Sequence, residues 1–399
     1  MVKYKNERQY CGARLFCLSR LVTFESPRSA RLISEDVSNL IVITDASRIT
    51  KIPFRDLYQY IVNMNDKITR YDRYRYTMLW LAEHFFASNK KVKKLRKKLS
   101  ASLSEKIPDG LGELGENGEN HIPVPVIEGM DVDEFIKNYR KKSQPVVLKN
   151  AAASWPLYKK WSPDFFAEQY PEDPVILFDG AIESRESPKE KYTKTVSLSG
   201  FVNAMKNGGK DYARFLPLLD QHPELLKDFD VDWLMSAANK GAKGVKHQLF
   251  MGGAGTSTSM HCAIGSNLFV QVHGRKQWWI YSTNNSPLLE PLVDRSVFFR
   301  SRASGEKPEG NFRKADGWTV ILEPGDVLYN PPFFWHQARN IDTTIGVGFR
   351  WFSMASILKV SPAQLLMTLT ASNPSVREAK KLEGNFAKVY SDLLKIKKE

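Results

Sequence analysis

At 399 residues, with 42% hydrophobic content and a formal net charge of +14, the chain is long enough for one large domain plus an accessory unit. It holds no run of about eighteen apolar residues, which argues against a membrane-spanning helix, and its basic N-terminus, broken by Cys, Ser and Arg, does not read as a secretory signal. The cysteines Cys11, Cys17 and Cys262 show neither paired nor metal-knuckle spacing, so a reduced, intracellular, cytoplasmic setting is expected.

The charge is uneven. Residues 1–100 hold 21 Lys and Arg against 9 Asp and Glu, and the rest of the chain holds 37 against 35. Residues 1–98 are therefore expected to form a basic, mostly helical accessory region, either a solvated helix face or a surface for an acidic partner. Within it SNLIVITD (38–45) reads as a short buried strand. Pro53 suits the first turn of a helix over FRDLYQYIVNM. A second helix covers Ile68 to about Phe86, ended by the lysine cluster KKVKKLRKK at 90–98. No aromatic residue interleaves that cluster, which makes it a weak nucleic-acid signature. Residues 99–123, rich in Gly, Glu, Asn and Ser, read as a flexible linker.

From residue 124 the pattern changes. QPVVLKNAA (144–152) and VILFDG (175–180) read as strands, PDFFAEQY as a helix capped by Ser162, and VSLSGFVNAMKNGG (196–209) as a helix ended by its glycine pair. After Gln248 short strands separated by Gly, Asn and Pro predict a sandwich or barrel, so residues 124–353 are expected to be mainly β with flanking helices. Residues 354–399 turn helical again, with apolar stripes suited either to packing on the outside of the barrel or to a homodimer.

The chemistry concentrates in two segments, Met251–Trp279 and Glu323–Trp351, each with a histidine in a β-rich setting. His261 and residue 263 share one face of a strand, and Cys262 faces the other way. An H-x-D or H-x-E pair plus a distant histidine such as His336 makes the facial triad of non-haem Fe(II) enzymes. Here the carboxylate position is Ala263. On residue types alone, a lone buried histidine is more often a satisfied core residue than a ligand.

The run G-x-G-T-x-T-x-x-H ending at His261, then Asn267, then Q-V-x-G-x-K-x-W with Lys276, then PGDVLYNPPFFWH ending at His336, resembles the cupin-like branch of the JmjC-type Fe(II)/2-oxoglutarate oxygenases, over roughly residues 123–352. The resemblance implies a double-stranded β-helix, the jelly roll of cupin and JmjC proteins. It also implies Fe(II) at His261 and His336, and 2-oxoglutarate with its distal carboxylate on Lys276, near Thr258 and Asn267. Trp279, Phe333, Phe334 and Trp335 read as core and pocket wall. Asp326 matches a structural aspartate in the PGD turn, and Gly348 stands near a position that is polar in some members. Ala263 departs from the family. Related Fe(II)/2-oxoglutarate halogenases carry Ala or Gly there, so that chloride or bromide binds the iron. The resemblance thus implies a radical halogenase with an open halide site at Ala263, acting on a small-molecule, amino-acid or protein substrate. The alternatives are a non-catalytic pseudo-oxygenase, a hydroxylase or a nucleic-acid-binding adaptor.

Overall fold

The computed structural model describes residues 67–87, 89–107, 121–128, 131–179, 192–216, 218–240 and 242–372, together with three N-terminal strands, β1 (Arg14–Cys17), β2 (Asn39–Asp45) and β3 (Arg48–Pro53). These strands pair antiparallel in the order β1-β2-β3. β2 is the SNLIVITD segment, and these strands accompany the helices Arg70–Phe85 and Lys90–Glu105 in the described part of the N-terminal region. The helix expected over FRDLYQYIVNM and the last helical stretch, from residue 373, lie outside the described residues.

The remaining strands are β4 (His121–Pro123), β5 (Val126–Glu128), β6 (Val146–Lys149), β7 (Pro174–Asp179), β8 (Tyr192–Ser197), β9 (Asp211–Leu216), β10 (Lys243–Gly252), β11 (His261–Cys262), β12 (Ser266–His273), β13 (Lys276–Tyr281), β14 (Phe299–Arg300), β15 (Gly317–Leu322), β16 (Val327–Asn330), β17 (Trp335–Asn340) and β18 (Thr344–Phe352). They form a nine-stranded sheet, β5-β6-β16-β12-β18-β10-β9-β7-β8, and a six-stranded sheet, β14-β11-β17-β13-β15-β4. The chain crosses between sheets on going from β10 to β11, from β11 to β12 and again from β16 through β17 to β18. This winding is a double-stranded β-helix, the jelly roll of the cupin-like proteins.

Strand alternation separates two environments. On β18, Ile345, Val347, Phe349 and Trp351 pack outward beneath the helices that cover the large sheet. Gly346, Gly348 and Arg350 turn the other way, into the barrel. On β12 and β13, Phe269, Trp278 and Ile280 fill that interior beside Phe250, Leu328 and Phe334. Gly346 is required there, because a Cβ would lie 2.3 Å from the Phe269 ring. Gly274, at φ +65, makes the tight turn that delivers β13, and a Cβ there would meet the Thr343 carbonyl at 2.0 Å.

Two helices back the small sheet. α1 (Arg70–Phe85) opens with a capping box between Thr69 and Asp72, and α2 (Lys90–Glu105) is capped by the Asn89 side chain. The lysine cluster therefore belongs to a helix of its own, since Asn89 restarts what the 90–98 charges were expected to end. Residues 99–105 of the expected linker complete α2, with Leu103 fully buried, and residues 121–123 form β4. α1 and α2 are docked to the barrel. Trp80 stacks on Trp335 at 6.4 Å, and buried Arg96 donates to Glu83 at 2.6 Å, Tyr76 at 2.8 Å and the Pro291 carbonyl at 3.2 Å. On the large-sheet side, Ser197 caps α3 (Leu198–Lys206). Ser162 likewise caps the helix Pro163–Gln169. At the C-terminal end α4 (Met354–Val360) and α5 (Pro362–Leu369) bury Ile357, Leu365 and Met367 in the cluster shared with α1, and Thr370 meets His84 at 3.1 Å. Among the described residues no helix is long and apolar enough to cross a membrane.

Candidate functional site

His261 and His336 are direct register partners on β11 and β17, with ring centroids 4.2 Å apart. Each Nδ1 lies against a carbonyl, Ser259 at 2.7 Å for His261 and Phe334 at 2.9 Å for His336. A carbonyl only accepts, so each Nδ1–H donates and each Nε2 keeps a lone pair for a ligand. The Asn330 amide lies 3.1 Å from His336 Nδ1, with its buried oxygen unpartnered, so rotating the amide turns two facing donors into a hydrogen bond. Trp278 stacks on His336 at 5.6 Å and fixes its plane.

Both imidazoles are held neutral. Burial pushes His261 down to about 4, against the pull of the Ser259 carbonyl, and the positive charges of Arg214, Arg350 and Arg300 act in the same direction as burial. Burial also holds His336 well below the ordinary histidine range, with His261 and Arg350 adding to it. Neutral imidazole is the metal-ligating form.

The third corner differs. Ala263 follows the last residue of β11, and its carbonyl accepts from the Phe333 N–H at 2.7 Å. Its side chain offers no donor. Among the described residues no group of three or more His, Cys, Asp or Glu could hold a metal ion. Two nitrogen donors fit a divalent metal only when a further ligand completes the set.

Further along the same wall lies Lys276, 1% exposed. Its Nζ donates to Tyr212 Oη at 2.8 Å and sits 5.2 Å from the centroids of both the Tyr212 and Phe269 rings. No carboxylate among the described residues pairs with it. A buried ammonium without a countercharge is costly, and an anionic ligand removes that cost. Asn340, the register partner of Lys276, donates to Thr256 Oγ1 at 2.8 Å and leaves its own buried oxygen unpartnered. Thr258 Oγ1 accepts from the Ala338 N–H at 3.0 Å, between His336 and Asn340 along β17. From the opposite sheet, buried Asn267 has an unpartnered oxygen, and a Cβ on Gly348 would lie 3.0 Å from it. The donor in this part of the interior is the Lys276 ammonium; the two orphaned amide oxygens are acceptors, and they become donors toward an anion only if the amides are rotated.

The structure thus brings His261 to His336 and sets Lys276 and Thr258 on the same wall, while Asn267 faces them from across the barrel. Asp326 is structural. It accepts from the backbone N–H groups of Asn150 at 3.1 Å and Glu323 at 2.9 Å and takes Lys149 at 3.1 Å. Of the four aromatic residues, Phe334 lines the interior, whereas Trp279, Phe333 and Trp335 pack on the outer cluster. Tyr212, Arg214, Asn340 and Arg350 carry no signal in the local sequence. The first two come from β9, far from both histidine segments.

Residues 132–356 match the cupin-like domain family. Lysine-specific demethylase 8 of Xenopus tropicalis is 26% identical over 257 residues, which cover 63% of this chain and 57% of that protein. Lysine-specific demethylase JMJ30 of Arabidopsis thaliana is 25% identical over 57% of this chain and 54% of its own length. HSPB1-associated protein 1 of Homo sapiens is 31% identical over 41% of this chain and 36% of its own length. The matched part is thus 36–57% of these relatives' lengths.

Proposed function

The chain belongs to the cupin-like domain family, and from that membership we propose that it is an Fe(II)/2-oxoglutarate-dependent enzyme of the JmjC type whose metal site is completed by an exogenous anion. The relatives named as lysine-specific demethylases support the coarser part of this reading. The observation that carries it is buried Lys276, bonded to Tyr212 and without a carboxylate partner among the described residues. In this reading its ammonium holds the distal carboxylate of 2-oxoglutarate, with Tyr212, Thr258 and Asn267 as polar neighbours. His261 and His336 hold the metal through Nε2, and their Nδ1 bonds to backbone carbonyls keep both rings in the ligating tautomer.

The finer reading is radical halogenation. Ala263 removes both a ligand and a negative charge from the metal face, and chloride or bromide supplies both. Iron, when bound with 2-oxoglutarate and dioxygen, would supply the oxidising power: 2-oxoglutarate would end as succinate and carbon dioxide, the substrate hydrogen would leave in water, and the halide would take its place on carbon. The chain's own part is to orient the cosubstrate from Lys276, to exclude water with Trp278 and Phe269, and to leave the face at Ala263 open. Oxidation of 2-oxoglutarate to succinate tests this. With Fe(II) and dioxygen, turnover should need chloride or bromide. Equal turnover in halide-free buffer would remove the halogenase reading.

A second reading, a pseudo-oxygenase that binds ligand without turnover, is favoured by one observation. The metal face has two neutral nitrogens and faces the positive charges of Arg214 and Arg350. No succinate under any halide condition, with intact 2-oxoglutarate binding, would establish it.

A further inference from the structure

Away from the barrel interior, a cleft of about 490 Å³ opens between α2 and the segment 288–312, a volume within the range of ligand sites. Arg300 of β14, the register partner of His261, lines it, so one wall of the cleft stands a single strand from the histidine pair. Half-buried Leu292 and Val293 give it apolar surface. Its charged groups divide in two. Arg96 is held by Glu83 at 2.6 Å and Arg300 by Asp294 at 2.9 Å, and Glu290 accepts from Asn311 at 2.9 Å. Lys307 and Glu309 are engaged as well. Lys93, Lys97 and Arg302 are exposed at the cleft, and their side chains have no hydrogen-bond or ion-pair partner among the described residues.

α2 itself is poorly compensated. It carries Lys90, Lys91, Lys93, Lys94, Lys97 and Lys98, all exposed, and its one acidic residue is Glu105 at the far end. No acid occupies its first turn, so the lysines crowd the positive end of the helix dipole, and like charges recur three and four residues apart. Both effects oppose the helix in the free protein, and an anionic partner relieves both. Lys93 and Lys97 rise about 6 Å along the axis from one to the other. Alternate residues of an extended chain are about 7 Å apart, so carboxylates at i and i+2 of a bound strand meet both lysines. Phe312, the one aromatic residue that lines the cleft, is 5% exposed and offers no stacking platform for a nucleic-acid base.

We propose that this cleft binds an acidic polypeptide segment of a partner protein in extended form, with its carboxylates on Lys93, Lys97 and Arg302 and its apolar side chains against Leu292 and Val293. Charge-assisted bonds to three unpaired cations hold the segment, and the mixed apolar and basic lining selects a peptide over a bare polyanion. Lys94 and Lys98, which do not line the cleft, steer its approach without touching it. The site needs neither the metal nor the cosubstrate of the barrel.

The experiment is fluorescence anisotropy with the full chain at physiological ionic strength. The probe is a labelled peptide of alternating Glu and Val, and a peptide of alternating Gln and Val and an oligothymidylate serve as comparisons. The Glu-Val peptide should bind saturably and the Gln-Val peptide should not. Lys93→Gln combined with Lys97→Gln should weaken the Glu-Val peptide by roughly tenfold or more. Lys94→Gln combined with Lys98→Gln removes the same charge from the same helix outside the cleft, and should change the affinity by less than about twofold. All four lysines are exposed, so both double variants should fold. The proposal is overturned if the Glu-Val peptide does not bind, or if the two double variants weaken it equally. It is also overturned if oligothymidylate binds more tightly than the peptide, which would make the α2 lysines a nucleic-acid surface.

Discussion

His261 and His336 face each other across one rung of the β11–β17 ladder, their ring centroids 4.2 Å apart. Because register fixes which side chains face inward, this pairing is set by backbone hydrogen bonds rather than by any ligand. In the proposed reading the metal corner is therefore preorganised on two sides and open on the third, at Ala263. The positive charges of Arg214, Arg350 and Arg300 act on His261 in the same direction as burial, and Arg350 does so on His336.

The depressed histidines make stability depend on pH. Folded His261 lies near 4, below its unfolded value of 6.5. Its contribution is fully present above pH 6.5 and is lost as pH falls through 4. The shift corresponds to at most about 3 kcal/mol. Chemical denaturation of the metal-free chain should show stability falling over that window. His261→Gln should flatten the fall, and an unchanged profile in the variant would contradict the assignment.

Lys276→Met should separate binding from folding. It replaces a buried cation by an apolar chain of similar length, so the ligand-free protein should be as stable as wild type or more so, by about 1 kcal/mol. The affinity for 2-oxoglutarate should fall by roughly a hundredfold, the equivalent of losing about 3 kcal/mol of charge-assisted bonding. Thermal unfolding with and without 2-oxoglutarate reads both effects.

Arg96 joins α2 to α1 through Glu83, with both side chains 5% exposed, and ties the hairpin to the barrel through the Pro291 carbonyl. Arg96→Ala leaves Glu83 buried without its partner and should cost about 3–5 kcal/mol. Limited proteolysis of the variant should cut within 70–107 sooner than in wild type. Equal cleavage rates would show that the docking depends on the apolar contacts alone.

Much of the site was legible in the sequence because its residues sit in short motifs with fixed strand parity. His261, Lys276 and His336 lie on β11, β13 and β17, whose periodicity shows in the residues themselves. Tyr212, Arg214 and Arg350 were not legible, because an alternating strand gives no sign that an arginine faces a barrel interior until sheet order is known. The left-handed conformation of Phe215 on β9, at φ +55, is similarly silent, since nothing in YARFL marks it. In the N-terminal region the KKVKKLRKK charges were visible, but the Asn89 cap that makes them a separate helix was not weighed. The buried contacts of Arg96 depend on a partner element almost two hundred residues away at Pro291.

Ala263→Asp probes the open corner from the opposite direction. A carboxylate there would add an anionic donor two residues from His261, on the same face. Fe(II) affinity with 2-oxoglutarate should rise in halide-free buffer, by tenfold or more, and its dependence on chloride should disappear. Retained chloride dependence in this variant would place the halide elsewhere than at residue 263.

The most direct test is anaerobic titration of the unmodified chain with Fe(II) in the presence of 2-oxoglutarate, with and without chloride, following the visible metal-to-ligand charge-transfer band. The account predicts a band that saturates at one iron per chain and at lower Fe(II) when chloride is present. No band with excess chloride would contradict it and leave the barrel as a binding module.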